Sequence, residues 1–137
     1  MSRIIPAALL AIALSACASN HDLKKGPNTL GGGIEDTEVL PGLHHIIART
    51  NWAPWEKFGA ARKSWKKLAD RACGIGSYKE LGTTEAARDT GIQPMGALAY
   101  IVTEKTGYAL CNGTGTTEAQ ALALIETTNS PAPAQAN

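Results

Sequence analysis

The chain has 137 residues, with 13 Lys and Arg against 12 Asp and Glu, a formal net charge of +1 and only 5% aromatic residues. That length accommodates one small domain, and the charge balance supplies no global pull toward nucleic acid or anionic lipid. Nucleic acid is therefore not an expected partner, and no stretch after the N-terminus is long and apolar enough to span a bilayer.

At the N-terminus, Met1 and Arg3 supply positive charge, Ile4 to Leu14 form an apolar run of 11 residues, and Ser15 and Ala16 place small side chains before Cys17. A membrane helix needs about 17–25 residues, so this run suits the apolar core of an export signal instead. Leu14-Ser15-Ala16-Cys17 resembles the lipobox of bacterial lipoproteins. The resemblance implies cleavage before Cys17, a diacylglycerol on its sulfur and an acyl chain such as palmitate on its amine. More than one lipid chain meets the requirement for stable anchoring. Ala18 stands where an Asp would mark inner-membrane retention, which by the same resemblance implies the outer membrane, with the domain in the periplasm. Residues 1–16 are then a signal peptide, and losing Arg3 leaves 12 basic and 12 acidic residues. The whole chain is similar to small proteobacterial envelope lipoproteins, a type that brings no catalytic residues with it.

Residues 17–33 read as lipid anchor and flexible tether, because Lys24, Lys25, Pro27, Asn28 and the run Gly31-Gly32-Gly33 offer little apolar surface to bury. Such a segment of about 15 residues has a mean reach of about 20 Å. The triple glycine lacks the surrounding pattern of a phosphate-binding loop and reads as linker or turn.

The domain is expected over residues 34–128. Thr37, Val39 and Leu40 precede a Pro41-Gly42 turn, after which Leu43 to Ala48 alternate as a second strand. Pro54 to Cys73 reads as a long amphipathic helix: Pro54 suits the first helical position, and Gly74 suits the terminator. Trp55, Phe58, Ala61, Trp65, Leu68, Ala69 and Ala72 form its apolar stripe. Gly76 to Glu85 reads as a short strand and Ala86 to Gly96 as a loop. Ala97 to Glu104 follows as a strand that returns through Tyr108 to Cys111 after a Lys105-Thr106-Gly107 turn. A short helix follows, opened by Thr117 and Gln120 as a capping box, with Leu122 and Ile125 able to reach the core. Residues 129–137 read as a disordered Pro/Ala tail. The expected fold is α+β: a small antiparallel sheet of about four strands with the long helix packed across one face.

With Cys17 lipidated, Cys73 and Cys111 remain. In the oxidising periplasm that the lipobox implies, a structural disulfide between them is expected, because no Cys-x-x-Cys redox spacing exists. His44 and His45 are adjacent on a strand and point to opposite faces, which disfavours a shared metal. No nucleophile elbow surrounds Ser64 or Ser77, and Glu35, Asp36 and Glu38 read as solvated charge beside the tether. No metal, cofactor or catalytic residue is expected. The most suggestive surface is the helix face bearing Lys57, Arg62, Lys63, Lys66, Lys67 and Arg71 against Glu56 and Asp70, beside Trp52, Trp55 and Trp65. Trp52, Arg62, Lys63, Lys66 and Lys67 are its candidate binding residues, suited to anionic lipid, lipopolysaccharide, peptidoglycan or an acidic protein. The expected function is that of a non-catalytic lipid-anchored envelope protein binding a protein or cell-wall partner. The alternative is a small periplasmic hydrolase or metal-binding lipoprotein using His44 or His45.

Overall fold

The sheet begins at the last of the three glycines. Strand β1 (Gly33–Leu40) turns through Pro41-Gly42 into β2 (Leu43–Arg49), and the two pair antiparallel from Gly33 opposite Arg49 to Leu40 opposite Leu43. Helix α1 (Phe58–Cys73), β3 (Tyr78–Asp89), β4 (Ile101–Cys111) and helix α2 (Glu118–Asn129) follow in chain order. This computed structural model describes residues 20–91 and 99–129. The lipobox-like stretch with Cys17, residues 92–98 of the expected loop and strand, and residues 130–137 of the expected tail lie outside the described residues.

The four strands form one antiparallel sheet in the order β1-β2-β4-β3, with α1 packed on it, so the fold is α+β as the patterning predicts. Alternation along the strands sends side chains into two cores. Ile46, Ala48 and Ala109 meet Trp65, Leu68 and Ala69 of α1, while Leu43, Leu81, Tyr108 and Leu110 meet Ala121 and Ile125 of α2. Adjacent β4 residues thus serve opposite faces, as a period of two requires. Trp65 is the largest fully buried side chain, and its indole Nε1 donates to the Ile46 carbonyl at 3.1 Å. Burying that ring is worth about 3 kcal/mol, and the hydrogen bond spares the cost of a stranded N–H. The capping box at α2 forms as read: Thr117 N donates to Gln120 Oε1 at 2.8 Å, and Gln120 N to Thr117 Oγ1 at 3.3 Å. Ala121 and Ile125, rather than Leu122, are its buried residues.

Several further expectations are corrected. First, Lys105-Thr106-Gly107 is not a turn, because β4 runs straight through it between β2 and β3. Gly107 instead lies where β3 bulges: Leu81 pairs with Tyr108 and Thr84 with Thr106, leaving Gly82 and Thr83 against one residue. A Cβ on Gly107 would come within 2.6 Å of Thr83 Cγ2 and 2.8 Å of Thr83 Cα, so glycine here marks close backbone approach. Second, β3 continues to Asp89, so Ala86 to Asp89 is strand, paired with Glu104 to Ile101.

Third, α1 starts at Phe58 rather than Pro54. Ala53 is held in a bridge to Ile101, and Lys57 N donates to Thr103 Oγ1 at 2.9 Å, so the intervening chain is tied to the sheet before the helix can begin. Trp55 therefore leaves the apolar stripe and is 63% exposed. Fourth, the segment read as tether is folded from His21 onward. Ile34 N donates to the His21 carbonyl at 2.7 Å, Leu23 to Lys25 make a 3-10 turn, and Trp52 N donates to the Leu30 carbonyl at 2.8 Å. The glycines permit this packing: a Cβ at Gly31 would meet Val102 Cγ2 at 2.8 Å, and one at Gly33 would meet Leu23 Cδ2 at 2.5 Å. Asn129, assigned to the expected tail, is instead the last residue of α2.

Candidate interaction surface

Helix α1 places its buried residues Ala61, Trp65, Leu68 and Ala69 on the sheet and turns its basic residues outward. Its interior is rich in Ala, Lys and Arg, which are strong helix formers. It ends where Gly74 N donates to the Asp70 carbonyl and Gly76 N to Asp70 Oδ1. At 1.5 Å per residue its 16 residues extend about 24 Å, from the Thr103 end of the sheet to Cys73. Cys73 is disulfide-bonded to Cys111 at the end of β4, with Cα atoms 5.0 Å apart, which fixes the far end of the helix to the sheet.

The outward charges divide into two sets. Arg62 donates from Nε and Nη2 to the two Glu85 oxygens at 2.7 and 2.6 Å, and Lys66 Nζ reaches Asp70 Oδ2 at 2.6 Å. These bonds hold the Glu85 carboxyl below its ordinary pKa and the Arg62 guanidinium above its own. Asp70 is likewise lowered, by Lys66 and then by the Gly76 N–H, and Lys66 is raised through Asp70. Lys63, Lys67 and Arg71, in contrast, are exposed and form no ion pair among the described residues. They recur every four residues, which stacks them into one row with about 6 Å between neighbours.

The structure thus brings together Arg62, Lys63, Lys66 and Lys67 on one face and adds Arg71. It does not bring Trp52 there. Trp52 packs edge-on against Tyr100, with ring centroids 4.4 Å apart, at the end of the sheet, and its buried Nε1 has no hydrogen-bond partner among the described residues. Arg71 was already visible in the sequence as a basic residue of this face; the four-residue interval from Lys67 separates it from the paired set. Trp65 is inside, with the Lys105 ammonium 4.4 Å from its ring centroid and bonded to Glu80 Oε2 at 2.7 Å.

The two histidines go to opposite faces of β2. His44 Nδ1 lies 2.9 Å from Asp36 Oδ1, and His45 packs at a tilt against Tyr108, ring centroids 4.7 Å apart, with Nε2 3.3 Å from Thr106 Oγ1. Among the described residues no three His, Cys, Asp or Glu side chains converge as metal ligands. A cleft of about 170 Å³ is lined by Pro27, Gly31, Arg49, Arg88 and Val102, and its charged wall is Glu104 held between Arg49 and Arg88. Among the described residues no helix is long and apolar enough to cross a membrane. The chain matches no protein-family model, no curated protein and no solved structure.

Proposed function

We propose that the chain is a non-catalytic, lipid-anchored protein of the cell envelope that presents the outer face of α1 to an acidic protein or cell-wall partner. The observation that carries this reading is the row Lys63, Lys67 and Arg71, three cations on one rigid helix without counter-charges among the described residues. Such a row steers and holds an anionic partner, and it costs the fold little because exposed, unpaired charges contribute little to stability. Arg62 and Lys66 are less suited to contact, since engaging a partner would first break their bonds to Glu85 and Asp70. The resemblance of Leu14-Ser15-Ala16-Cys17 to a lipobox supports the location, because such a signal directs a chain to the envelope.

The test is crosslinking and pull-down from intact envelopes with the lipidated chain, comparing wild type with Lys63→Glu/Lys67→Glu/Arg71→Glu. The reading expects loss of the partner with an unchanged thermal midpoint. Equal retention by the two chains removes the row from the function. Fractionation of a Cys17→Ser chain checks the anchor separately, since a chain still cleaved and membrane-bound without Cys17 contradicts it.

A further inference from the structure

The N-terminal segment leaves the fold at a defined pole. The bridge between Asp22 and Ile34 is parallel, so the chain running back from Asp22 emerges past the start of β1. At that end β1 begins at Gly33, β2 finishes at Arg49 and β4 begins at Ile101. Leu30 and Trp55 belong to the same pole. Leu30 accepts from Trp52 N, and Trp55 sits between the Ala53–Ile101 bridge and the hydrogen bond from Lys57 N to Thr103. Both are exposed apolar side chains, at 39% and 63%. The Asp22 segment lies beside β1, and Ala53 bridges β4 on the side where β2 pairs, so about two strand spacings, roughly 10 Å, separate the chain's exit from the Trp55 segment.

The reach of an anchor at Cys17 is correspondingly short. His21 is already hydrogen-bonded to the fold, so four residues at most about 3.6 Å each, roughly 14 Å, connect the two. A lipid on Cys17 would place this pole at the headgroup layer. An indole exposed there meets the environment that tryptophan prefers, an apolar ring among acyl chains and a polar N–H toward water.

We infer that the folded chain rests on the bilayer by this pole, with Trp55 and Leu30 in the headgroup layer of the membrane that holds Cys17. This rests on the lipid-anchor reading. It directs α1 away from the membrane, since the helix runs from the Thr103 end of the sheet to Cys73, and it leaves Lys63, Lys67 and Arg71 facing water.

The experiment uses the full lipidated chain reconstituted into phosphatidylcholine–phosphatidylglycerol vesicles, with or without lipids brominated high on the acyl chain. Tryptophan emission is quenched in brominated vesicles, and Trp55→Phe removes most of that loss, because Trp65 is fully buried and Trp52 is packed on Tyr100. Ile75, 88% exposed between Gly74 and Gly76 beyond the far end of α1, supplies the orientation control. Ile75→Trp in the Trp55→Phe background adds an emitter that bromine does not reach. Quenching unaffected by Trp55→Phe, or quenching of the tryptophan placed at position 75, overturns the inference. So does a Trp55 that acrylamide reaches fully in vesicles and that only added envelope protein shields, which would make the pole a protein interface. Mass spectrometry of Cys17 separates the premises: an unmodified cysteine removes the anchor and this inference together, whereas a lipidated chain with unquenched Trp55 removes this inference alone.

Discussion

Breaking the Cys73–Cys111 bridge is the sharpest test of how this small fold is held. The bond closes a loop with a sequence separation of 38 and joins the last residue of α1 to the last residue of β4. In the chain-entropy treatment a loop of that length restricts the unfolded ensemble by about 4 kcal/mol. Domains of this size have total stabilities of about 5–15 kcal/mol, so much of the margin is at stake. The perturbation is Cys73→Ala/Cys111→Ala, which deletes the sulfurs without burying new hydroxyls. Urea unfolding followed by circular dichroism should give a free energy lower by about 4 kcal/mol, and the thermal midpoint should fall by roughly 15–30 °C. The denaturant slope should rise slightly, because an unfolded chain without the cross-link exposes more surface. Wild type treated with reductant should land on the double variant, which separates the cross-link from the missing sulfur atoms. A loss below about 1 kcal/mol in both would refute the reasoning, since it would mean the loop gains almost no freedom when opened.

Two further outcomes follow from single contacts. Gly107→Ala should destabilise by about 1–3 kcal/mol in the same urea assay, because the new methyl group meets Thr83 Cγ2 and Cα across the bulge. Adding Thr83→Ser should recover only part of the loss, since the clash with the backbone remains; full recovery would place the strain elsewhere. For pH, the Glu85 carboxyl is lowered in the folded chain chiefly by its hydrogen bond from Arg62, so the unfolded chain takes up that proton first as pH falls. The stabilisation is complete above the ordinary carboxylate range and is lost as pH drops through the lowered folded value. Arg62→Gln removes it, so the stability gap between wild type and variant should be constant above about pH 5 and shrink toward about pH 3. A gap that widens in acid would show that this pair is not what separates the two chains.

The helix and the class of fold were legible because their signals are local and repeated. Ala61, Trp65, Leu68 and Ala69 recur at helical spacing, and Gly74 follows where the helix stops. The start of α1 was not legible, since Pro54 is a good first helical residue by its own chemistry. What overrides it is Thr103, 46 residues from Lys57, whose hydroxyl takes the Lys57 N–H. The false turn at Lys105-Thr106-Gly107 has the same origin. Gly after Lys-Thr is turn chemistry when read alone, and its actual reason, the bulge around Gly82 and Thr83, lies across the sheet. The basic face of α1 was visible in composition. Its division was not, because Glu85, distant in sequence on β3, neutralises Arg62, whereas Lys63 and Lys67 form no ion pair among the described residues.

The N-terminal segment changes the most in passing from sequence to structure. Composition cannot distinguish glycines that keep a linker loose from glycines that let a backbone pack close, since both lower the apolar content equally. Gly31 and Gly33 are of the second kind, against Val102 and Leu23, and Asn28 secures the turn over residues 28–32 with Oδ1 accepting from Leu30 and Gly32 N–H groups at 2.9 Å. The consequence is mechanical. A tether of about 15 residues would let the domain tumble above a membrane and present any face to it, whereas about four residues would hold one pole down and decide which faces stay free. On the proposed lipid anchor, that geometry turns an otherwise ordinary solvated row of Lys63, Lys67 and Arg71 into a surface held upright at a fixed height. A partner fixed in the envelope at that height would meet it at high effective concentration.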